Sequence, residues 1–140
     1  MHDPHKAQQE IIDDLSLFDN WLDRYQYLID LGKTLEPLTE EEKTDDILLH
    51  GCQSQVWLII EGDADALFIR ANSDAAIVSG LIALLIKVYS GASADQILKC
   101  QPEFISAIGL QQHLSPTRAN GLHAMLQAIN KAAAEFLAEN

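Results

Sequence analysis

Residues 47–71 read ILLHGCQSQVWLIIEGDADALFIRA, and here the apolar pattern of the chain changes from helical to extended. We predict three short antiparallel strands in this stretch, at residues 47–49, 56–60 and 67–69. The last two form a hairpin around the turn-forming residues 62–65. Cys52 then lies in the connection between the first two strands, beside Gly51, whose small size lets the backbone turn tightly. A loop held by a rigid sheet suits a reactive residue.

Helices are predicted on both sides of this sheet. Apolar side chains in residues 8–31 recur at helical spacing, which indicates two helices, or one that is broken near residues 19–20. Gly32 follows as a left-handed C-cap. After the sheet, Ser73 is predicted to cap a helix over residues 74–90, which is apolar nearly all round and must therefore be buried.

The last third of the chain predicts short helices and then a longer one. Ser93 and Gln96 form a capping-box pattern at the start of one short helix, and Pro102 begins another. Ser115 followed by Pro116 marks the start of the last helix. The order of helices, small antiparallel sheet and helices predicts an α+β fold in which the three-stranded sheet packs against the helices.

The length of the chain limits the number of domains, and its charge limits the kinds of partner it can bind. A chain of 140 residues predicts one domain over residues 1–140, and we expect residues 1–7 to be disordered. The net charge is -12, and residues 1–65 hold sixteen acidic and four basic side chains, whereas the rest holds five of each. Phosphate backbones and anionic lipids repel such a chain, so we expect no nucleic acid and no membrane as partner. A protein partner with a basic or neutral face fits better.

The first residues lack the apolar core of a signal peptide, and the longest apolar stretch is far below the roughly 20 residues of a membrane span. We therefore expect a cytoplasmic protein, as a monomer or weak homodimer. With two cysteines there is no disulfide framework, and in a reducing compartment both are free thiols. The cysteines and histidines have no zinc-site spacing, and no glycine-rich phosphate loop occurs, so we expect no metal and no cofactor.

The two cysteines are predicted to differ. Cys100 has the surroundings of a small core residue, whereas Cys52 lies in the predicted loop among polar neighbours and is our candidate nucleophile. His50 could supply a base or a positive charge to it. Arg118 lies in the first turn of the last helix, where the helix dipole disfavours a cation by up to about 1 kcal/mol. It could pair with an acidic residue of this chain, face a partner, or stabilise a thiolate or persulfide anion.

Four motifs in order carry a family resemblance. They are GCQSQVW (residues 51–57), SDAAIVSGLIALL (73–85), VYSG (88–91) and LSPTRANGLHAM (114–125). Together they closely resemble the SufE family of sulfur-acceptor proteins, over roughly three quarters of the chain, and several ordered motifs are far more specific than one. The resemblance implies a SufE/IscU-like α+β fold. The family's acceptor cysteine maps onto Cys52, and Arg118 matches a second signature as a site or interface residue.

The resemblance also implies a role beside a pyridoxal-phosphate cysteine desulfurase of the SufS or CsdA type. The acceptor thiolate takes the terminal sulfur of the desulfurase persulfide, stimulates that enzyme, and carries the sulfur to a SufBCD-type scaffold or another receiver for iron–sulfur cluster assembly. The pyridoxal phosphate belongs to the partner. We further expect Cys52 to rest turned inward against apolar residues and to turn outward when the desulfurase docks.

The sequence departs from the family pattern at two positions, and competing hypotheses stay open. Ile47 stands where relatives commonly have Asn, and Leu49 where a β-branched residue is usual, which affects loop anchoring and partner fit more than the thiol. A paralogous CsdE-type acceptor that serves another desulfurase and sulfur-transfer pathway would carry the same motifs. Two further hypotheses are a cysteine hydrolase that uses Cys52 and a histidine, and an interaction module whose cysteine is incidental.

Overall fold

The computed structural model describes residues 2–49 and 54–139. Its elements, in chain order, are α1 (Pro4–Ser16), α2 (Trp21–Gly32), a 3-10 turn (Asp45–Ile47), β1 (Val56–Asp63), β2 (Ala66–Ser73), α3 (Ala76–Tyr89), α4 (Ala94–Lys99), α5 (Glu103–Ala107), α6 (Leu110–His113) and α7 (Pro116–Ala138). The predicted α+β fold is confirmed, since helices pack against a small antiparallel sheet.

The sheet is a hairpin of two strands within the described residues. β1 pairs with β2 from Val56 opposite Ser73 to Asp63 opposite Ala66. The carboxylate of Asp63 closes the turn, because it accepts hydrogen bonds from the backbone N–H groups of Asp65 and Ala66 at 2.9 and 3.2 Å. The predicted hairpin is therefore confirmed; β1 begins where expected and ends three residues later, and β2 is longer than expected at both ends.

The prediction of a further strand at residues 47–49 was wrong. Asp45 and Asp46 begin a 3-10 turn, as short acidic side chains favour at the start of a helical turn, and only Leu48 pairs with β1, in an isolated bridge to Trp57. Leu49 adds one backbone hydrogen bond to β1. Of the three residues predicted to form the strand, Ile47 thus belongs to the turn, and Leu48 and Leu49 contact β1.

Helix α3 lies at the centre of the core. It packs against the inner face of the hairpin, where Leu67, Ile69 and Ala71 are buried. It begins at Ala76, two residues later than predicted, because Ser73 completes β2 instead of capping the helix. The predicted burial of this helix is confirmed. Its buried residues are Val78, Gly80, Leu81, Ile82, Ala83, Leu84, Leu85, Val88 and Tyr89.

The apolar character of α3 belongs to a protein core and not to a membrane span. Its 14 residues extend about 21 Å, well short of the ~30 Å hydrocarbon layer of a bilayer. Across the described residues, every helix fails the combination of length and apolarity that crossing a membrane requires.

Helices α2 and α3 cross with their backbones in direct contact. A Cβ atom added to Gly80 would lie 2.3 Å from the carbonyl oxygen of Leu28, and one added to Gly32 would lie 2.7 Å from the backbone nitrogen of Gly80. Side chains at these two positions would hold the helices apart. Gly32 is the last residue of α2 and does not have a positive φ, so the predicted left-handed cap was wrong. This glycine serves close packing.

The chain is helical from Pro4, whereas the sequence predicted residues 1–7 to be disordered. Asp3 caps α1 by accepting a hydrogen bond from the backbone N–H of His5 at 3.0 Å, and proline is favoured at the first helical position. Pro4 and Ala7 are buried. Capping and burial both stabilise the first turn of α1.

The caps predicted in the last third of the chain are confirmed. The Ser93 hydroxyl accepts from the backbone of Gln96 at 3.1 Å, and the Gln96 side chain accepts from the backbone of Ser93 at 2.9 Å. Pro102 precedes α5, and the Ser115 hydroxyl accepts from the backbone of Arg118 at 3.3 Å at the start of α7. Helix α6 was not predicted, since its four residues are too few to show a period.

We expect Gly80→Ala to lower the free energy of unfolding by about 2–3 kcal/mol, because the new methyl group must push α3 away from α2. Alanine is the better helix former by about 1 kcal/mol, so a helix without this contact would be stabilised by the same change. Urea unfolding measures the difference. Ala134→Gly, at an exposed position of α7, is the control for propensity alone, and a stabilised Gly80→Ala protein would contradict the prediction.

Candidate functional site

The predicted nucleophile Cys52 and its neighbour His50 lie outside the described residues. Residues 50–53, which we call the cysteine segment, contain both. The surroundings of the site follow from Leu49 and Ser54, which flank this segment, and from the side chains that face them.

The chain after the cysteine segment is fixed to the start of the core helix. The backbone N–H of Gln55 donates to the carboxylate of Asp74 at 3.0 Å, and the backbone N–H of Asp74 donates to the carbonyl of Gln55 at 3.4 Å. Asp74 lies between β2 and α3, and both of these elements belong to the core. This reciprocal pair of hydrogen bonds therefore positions Ser54 and Gln55.

The chain before the cysteine segment is fixed to the sheet. The backbone N–H of Leu49 donates to the carbonyl of Val56 at 2.8 Å, and Leu48 forms the bridge to Trp57. Val56 is completely buried in the core. The residues on both sides of the cysteine segment are thus attached to the sheet and to the residue that precedes the core helix.

A groove of about 290 Å³ opens beside Ser54. Its floor is apolar and its rim is polar. Val78 and Leu81 of α3 and Leu122 and Met125 of α7 form the floor, and Ser54, Ser115, Thr117 and Arg118 contribute to the rim. The groove offers a side chain both shelter from water and a positive charge nearby. Since Ser54 follows Cys52 by two residues, the groove lies next to the cysteine segment in the chain.

Arg118 reaches this rim from the first turn of α7, as predicted from its place in the sequence. It is exposed, and within the described chain no carboxylate lies within ion-pair distance of its guanidinium group. Of the three roles expected for Arg118, pairing with an acidic residue of this chain is thus not seen among residues 2–49 and 54–139. The two roles that remain are contact with an anion at the groove and contact with a docking partner.

Residues 36–49, which we call the strap, cross the outer face of the hairpin and lead into the cysteine segment. The backbone N–H of Leu38 donates to the side-chain oxygen of Asn72 at 2.7 Å. The ammonium group of Lys43 lies 5.2 Å from the ring centroid of Trp57, within the range of a cation–π contact. Asn72 and Trp57 are opposite each other in the hairpin, so both strands hold the strap.

Arg70 makes the strongest polar contact with the strap. Its two terminal nitrogens donate to the two carboxylate oxygens of Glu42 at 2.7 and 3.0 Å, which is the bidentate geometry of a strong ion pair. Glu36 and Glu61 each lie 3.5 Å from the same guanidinium group. The hydrogen bonds from Arg70, followed by the backbone hydrogen bond from Thr39, lower the pKa of Glu42 to about 2.

Cys100 is a buried structural residue, as predicted. It is 4% exposed, and the side-chain amide of Gln8 donates to its sulfur at 2.9 Å and to the carbonyl of Gln101 at 2.8 Å. The Gln8 oxygen accepts from the backbone N–H of Phe104 at 2.9 Å, so both the nitrogen and the oxygen of this buried amide have hydrogen-bond partners. Burial raises the pKa of the Cys100 thiol, which favours the protonated, unreactive form.

The histidines of the described residues are away from the groove. His113 stacks on Trp21 with ring centroids 4.0 Å apart, and Nε2 of His2 lies 2.7 Å from the carbonyl oxygen of Val88. Neither they nor the described His5 and His123 line the groove beside Ser54. In the same part of the chain, no group of three or more His, Cys, Asp or Glu side chains is placed to hold a metal ion.

Two features of the site were not predicted from the sequence: the role of Asp74 and the contact between Glu42 and Arg70. The sequence placed Asp74 inside a helix capped by Ser73, although an aspartate between a strand and a buried helix is a recognised signal for a side-chain contact with nearby backbone. The pair of Glu42 and Arg70 joins residues 28 positions apart, and no local pattern reveals such a contact.

We expect Asp74→Ala to release Gln55, because alanine removes the acceptor of its N–H hydrogen bond. Hydrogen exchange of the Gln55 amide should accelerate about tenfold, while core amides of α3 keep their rates. Asp74→Asn is the matched control, since its side-chain oxygen can still accept. Equal exchange rates at Gln55 in all three proteins would contradict the assigned contact.

We expect Glu42→Gln to destabilise the protein near neutral pH and to have a much smaller effect at about pH 2. The pKa of Glu42 is lowered from 4.5 to about 2, so its stabilising contribution is complete above 4.5, decreases below that pH and is lost as the pH falls through 2. Urea midpoints of both proteins across this range measure the effect. Glu40→Gln, at a side chain that is 93% exposed, is the control. A difference that persists unchanged at about pH 2 would refute the contact as its cause.

The fold has a counterpart among solved structures. The solution structure of a hypothetical protein from Thermus thermophilus superposes with a TM-score of 0.77 and covers 99% of both chains. The two sequences are 20% identical, so this likeness concerns the fold alone.

Sequence comparisons are more specific. An uncharacterized SufE-like protein of Rhizobium meliloti (strain 1021) is 41% identical over 129 residues, which cover 89% of this chain and 92% of that protein. An uncharacterized SufE-like protein of Rhizobium etli is 42% identical over 129 residues, 89% of this chain and 87% of that protein. The family model named SufE, described as an Fe–S metabolism associated domain, matches residues 9–133. The chain therefore belongs to the SufE family.

Proposed function

We propose that this protein accepts persulfide sulfur on Cys52 from a pyridoxal-phosphate cysteine desulfurase, stimulates that enzyme, and passes the sulfur on for iron–sulfur cluster assembly. The observation that carries the proposal is membership of a family associated with Fe–S metabolism, whose model spans the cysteine segment and the residues that hold it. The desulfurase is of the SufS or CsdA type, and a SufBCD-type scaffold or another sulfur receiver follows it.

The chemistry is an exchange at sulfur that needs no oxidant. The Cys52 thiolate attacks the terminal sulfur of the desulfurase persulfide, a new sulfur–sulfur bond forms at Cys52, and the desulfurase cysteine leaves as a thiolate. Atoms, charge and oxidation states balance, because the sulfane sulfur only changes its carrier. The attacking species is the thiolate, and a free cysteine, with a pKa of about 8.5, is ionised only to a minor extent near neutral pH.

Arg118 supports this step as a source of positive charge. It lies on the groove rim with Ser54, and covalent geometry keeps the Cα atom of Cys52 within about 7 Å of the Cα atom of Ser54. No carboxylate of the described residues uses its charge. A guanidinium in this place can stabilise a thiolate or persulfide anion, or hold an acidic group of the partner.

The groove supports the expected shelter for Cys52. A persulfide has to be protected from thiols in solution until the receiver collects it. The apolar floor formed by α3 and α7 is wide enough for a side chain of this size, and it lies at the end of the cysteine segment. We therefore retain the hypothesis that Cys52 rests inward and turns outward when the desulfurase docks.

The cysteine hydrolase hypothesis receives no support from the described residues. Such an enzyme needs a histidine that is oriented towards the nucleophile, and in this part of the chain the groove wall contains none. The CsdE-type hypothesis differs in which desulfurase and which receiver are served, and partner measurements distinguish it.

The test is to incubate the protein with a cysteine desulfurase and free cysteine, and to measure sulfide release together with the mass of the Cys52 peptide. We expect one added sulfur atom on Cys52 and faster turnover of the desulfurase. Cys52→Ser should lose both. Cys100→Ser is the matched control and should keep both, because Cys100 is buried.

Two outcomes would overturn the proposal. An unmodified Cys52 peptide with unchanged sulfide release would exclude sulfur transfer. Full stimulation by the Cys52→Ser protein would instead identify an interaction module whose cysteine is incidental. Parallel assays with SufS-type and CsdA-type enzymes decide which desulfurase this acceptor serves.

We expect Arg118→Ala to lower the rate of sulfur transfer to Cys52 about tenfold, which is the loss of one charge-assisted contact. Lys131→Ala, which removes an exposed cation farther along α7, is the control and should have the activity of the wild type. If both variants behave alike, net charge rather than the position of Arg118 determines the rate.

A further inference from the structure

Arg70 provides the ion pairs that attach the strap to the hairpin. Arg70, on the outer face of β2, contacts Glu42 and Glu36 of the strap and Glu61 of β1. The contact with Glu42 joins two side chains that are both largely sheltered, with exposed fractions of 26% and 29%. The strap carries many carboxylates and would repel Glu61 without this cation.

The packing of the inner face of the hairpin does not involve the contact between Arg70 and Glu42. Leu67, Ile69 and Ala71 bury the opposite side of β2 against α3. The α3–α4 connection covers the free edge of β2, since the backbone N–H of Leu67 donates to the carbonyl of Ala92 at 2.9 Å and that of Gly91 donates to Leu67 at 2.6 Å. Arg70 is therefore placed to hold the strap and not to form the sheet.

The strap between Glu42 and the cysteine segment is a chain of short turns. Backbone hydrogen bonds join Thr44 to Glu42 at 2.9 Å and Ile47 to Thr44 at 3.3 Å. Leu48 then bonds to Asp45 at 3.3 Å, before Leu49 bonds to β1. Because consecutive hydrogen-bonded turns connect Glu42 to Leu48, we expect a displacement of Glu42 to shift the start of the cysteine segment as well. Among the described residues next to the cysteine segment, the bridge of Leu48 and the hydrogen bond of Leu49 hold the strap to β1.

We propose that Arg70 is a positioning residue for the Cys52 thiol, because it fixes the strap through Glu42 and thereby the start of the cysteine segment. Asp74 holds the chain after the cysteine segment through its hydrogen bonds with Gln55. The inference rests on the proposed function of Cys52, and within the described residues the ion pairs of Arg70 are with Glu36, Glu42 and Glu61.

The geometry requires arginine at this position. Two parallel N–H donors hold both oxygens of Glu42, whereas the single ammonium group of a lysine could hold the carboxylate only as a point charge. Because the pKa of Glu42 is about 2, the carboxylate stays ionised and the attachment is maintained throughout the physiological pH range. The attachment is a permanent part of the fold, and not a pH switch.

The test compares Arg70→Gln with Lys99→Gln, which breaks an exposed ion pair of α4 instead. Alkylation of Cys52 in the free protein, followed by peptide mass, reports how the thiol is held. We expect Arg70→Gln to accelerate alkylation about fivefold and Lys99→Gln to leave it unchanged. Arg70→Lys should give an intermediate rate.

A titration of the desulfurase separates positioning from general damage. Arg70→Gln should raise the concentration needed for half-maximal stimulation about fivefold, because the segment is no longer preorganised, and should keep the maximum within about twofold. The reversed pair, Glu42→Arg with Arg70→Glu, should recover part of the loss. Thermal unfolding of each protein identifies variants that fail to fold.

The outcomes are distinct for the two proposals. Identical alkylation and titration for Arg70→Gln and Lys99→Gln, with sulfur still transferred to Cys52, would overturn the positioning role and leave the proposed function intact. A lower thermal midpoint and lower maximum with unchanged alkylation would reduce Arg70 to a structural role. If the wild type accepts no sulfur, the proposed function fails, and alkylation in the free protein still decides how Arg70 acts on Cys52.

Discussion

The contact between the backbones of α2 and α3 is the constraint on which the rest of the structure depends. Gly80 faces the carbonyl of Leu28, and Gly32 faces the backbone of Gly80, at distances that no side chain permits. The strap follows α2 in the chain, and Asp74 lies just before the start of α3. The helix crossing therefore sets the separation between the origin of the strap and the anchor of Gln55, and the cysteine segment lies between these two points along the chain.

Of the residues described, those near the cysteine segment bind backbone, line a groove or offer one cation. Under the proposed function, the chemistry at each end of the transfer is completed by another protein. The strongly acidic strap beside the site favours partners with basic or neutral surfaces.

Local patterns predicted the parts of the fold that depend on neighbouring residues. The hairpin, the capping box at Ser93 and Gln96, and the start of α7 at Ser115 each follow from hydrogen bonds or turns within a few residues. The predictions failed where contacts with residues distant in the sequence determine the local structure. Gly32 has the sequence position of a cap, but it packs against the backbone of α3. Residues 47–49 have a strand composition, but a 3-10 turn includes Ile47. The sequence predicted a positive charge at Arg118 but not the groove beside it. The floor of the groove comes from α3 and α7, which are far apart in the sequence.

The burial of Cys100 has a consequence for how long a sulfur cargo can last. A carrier with a second reactive thiol would discharge itself, because that thiol could attack its own persulfide, close an internal disulfide and release hydrogen sulfide. Here the second sulfur lies within the core, is bonded by Gln8 and is held in its protonated form by burial. In the folded protein it cannot serve as a resolving thiol. Under the proposed function, sulfur loaded on this chain therefore leaves only to a thiol or receiver that arrives from outside.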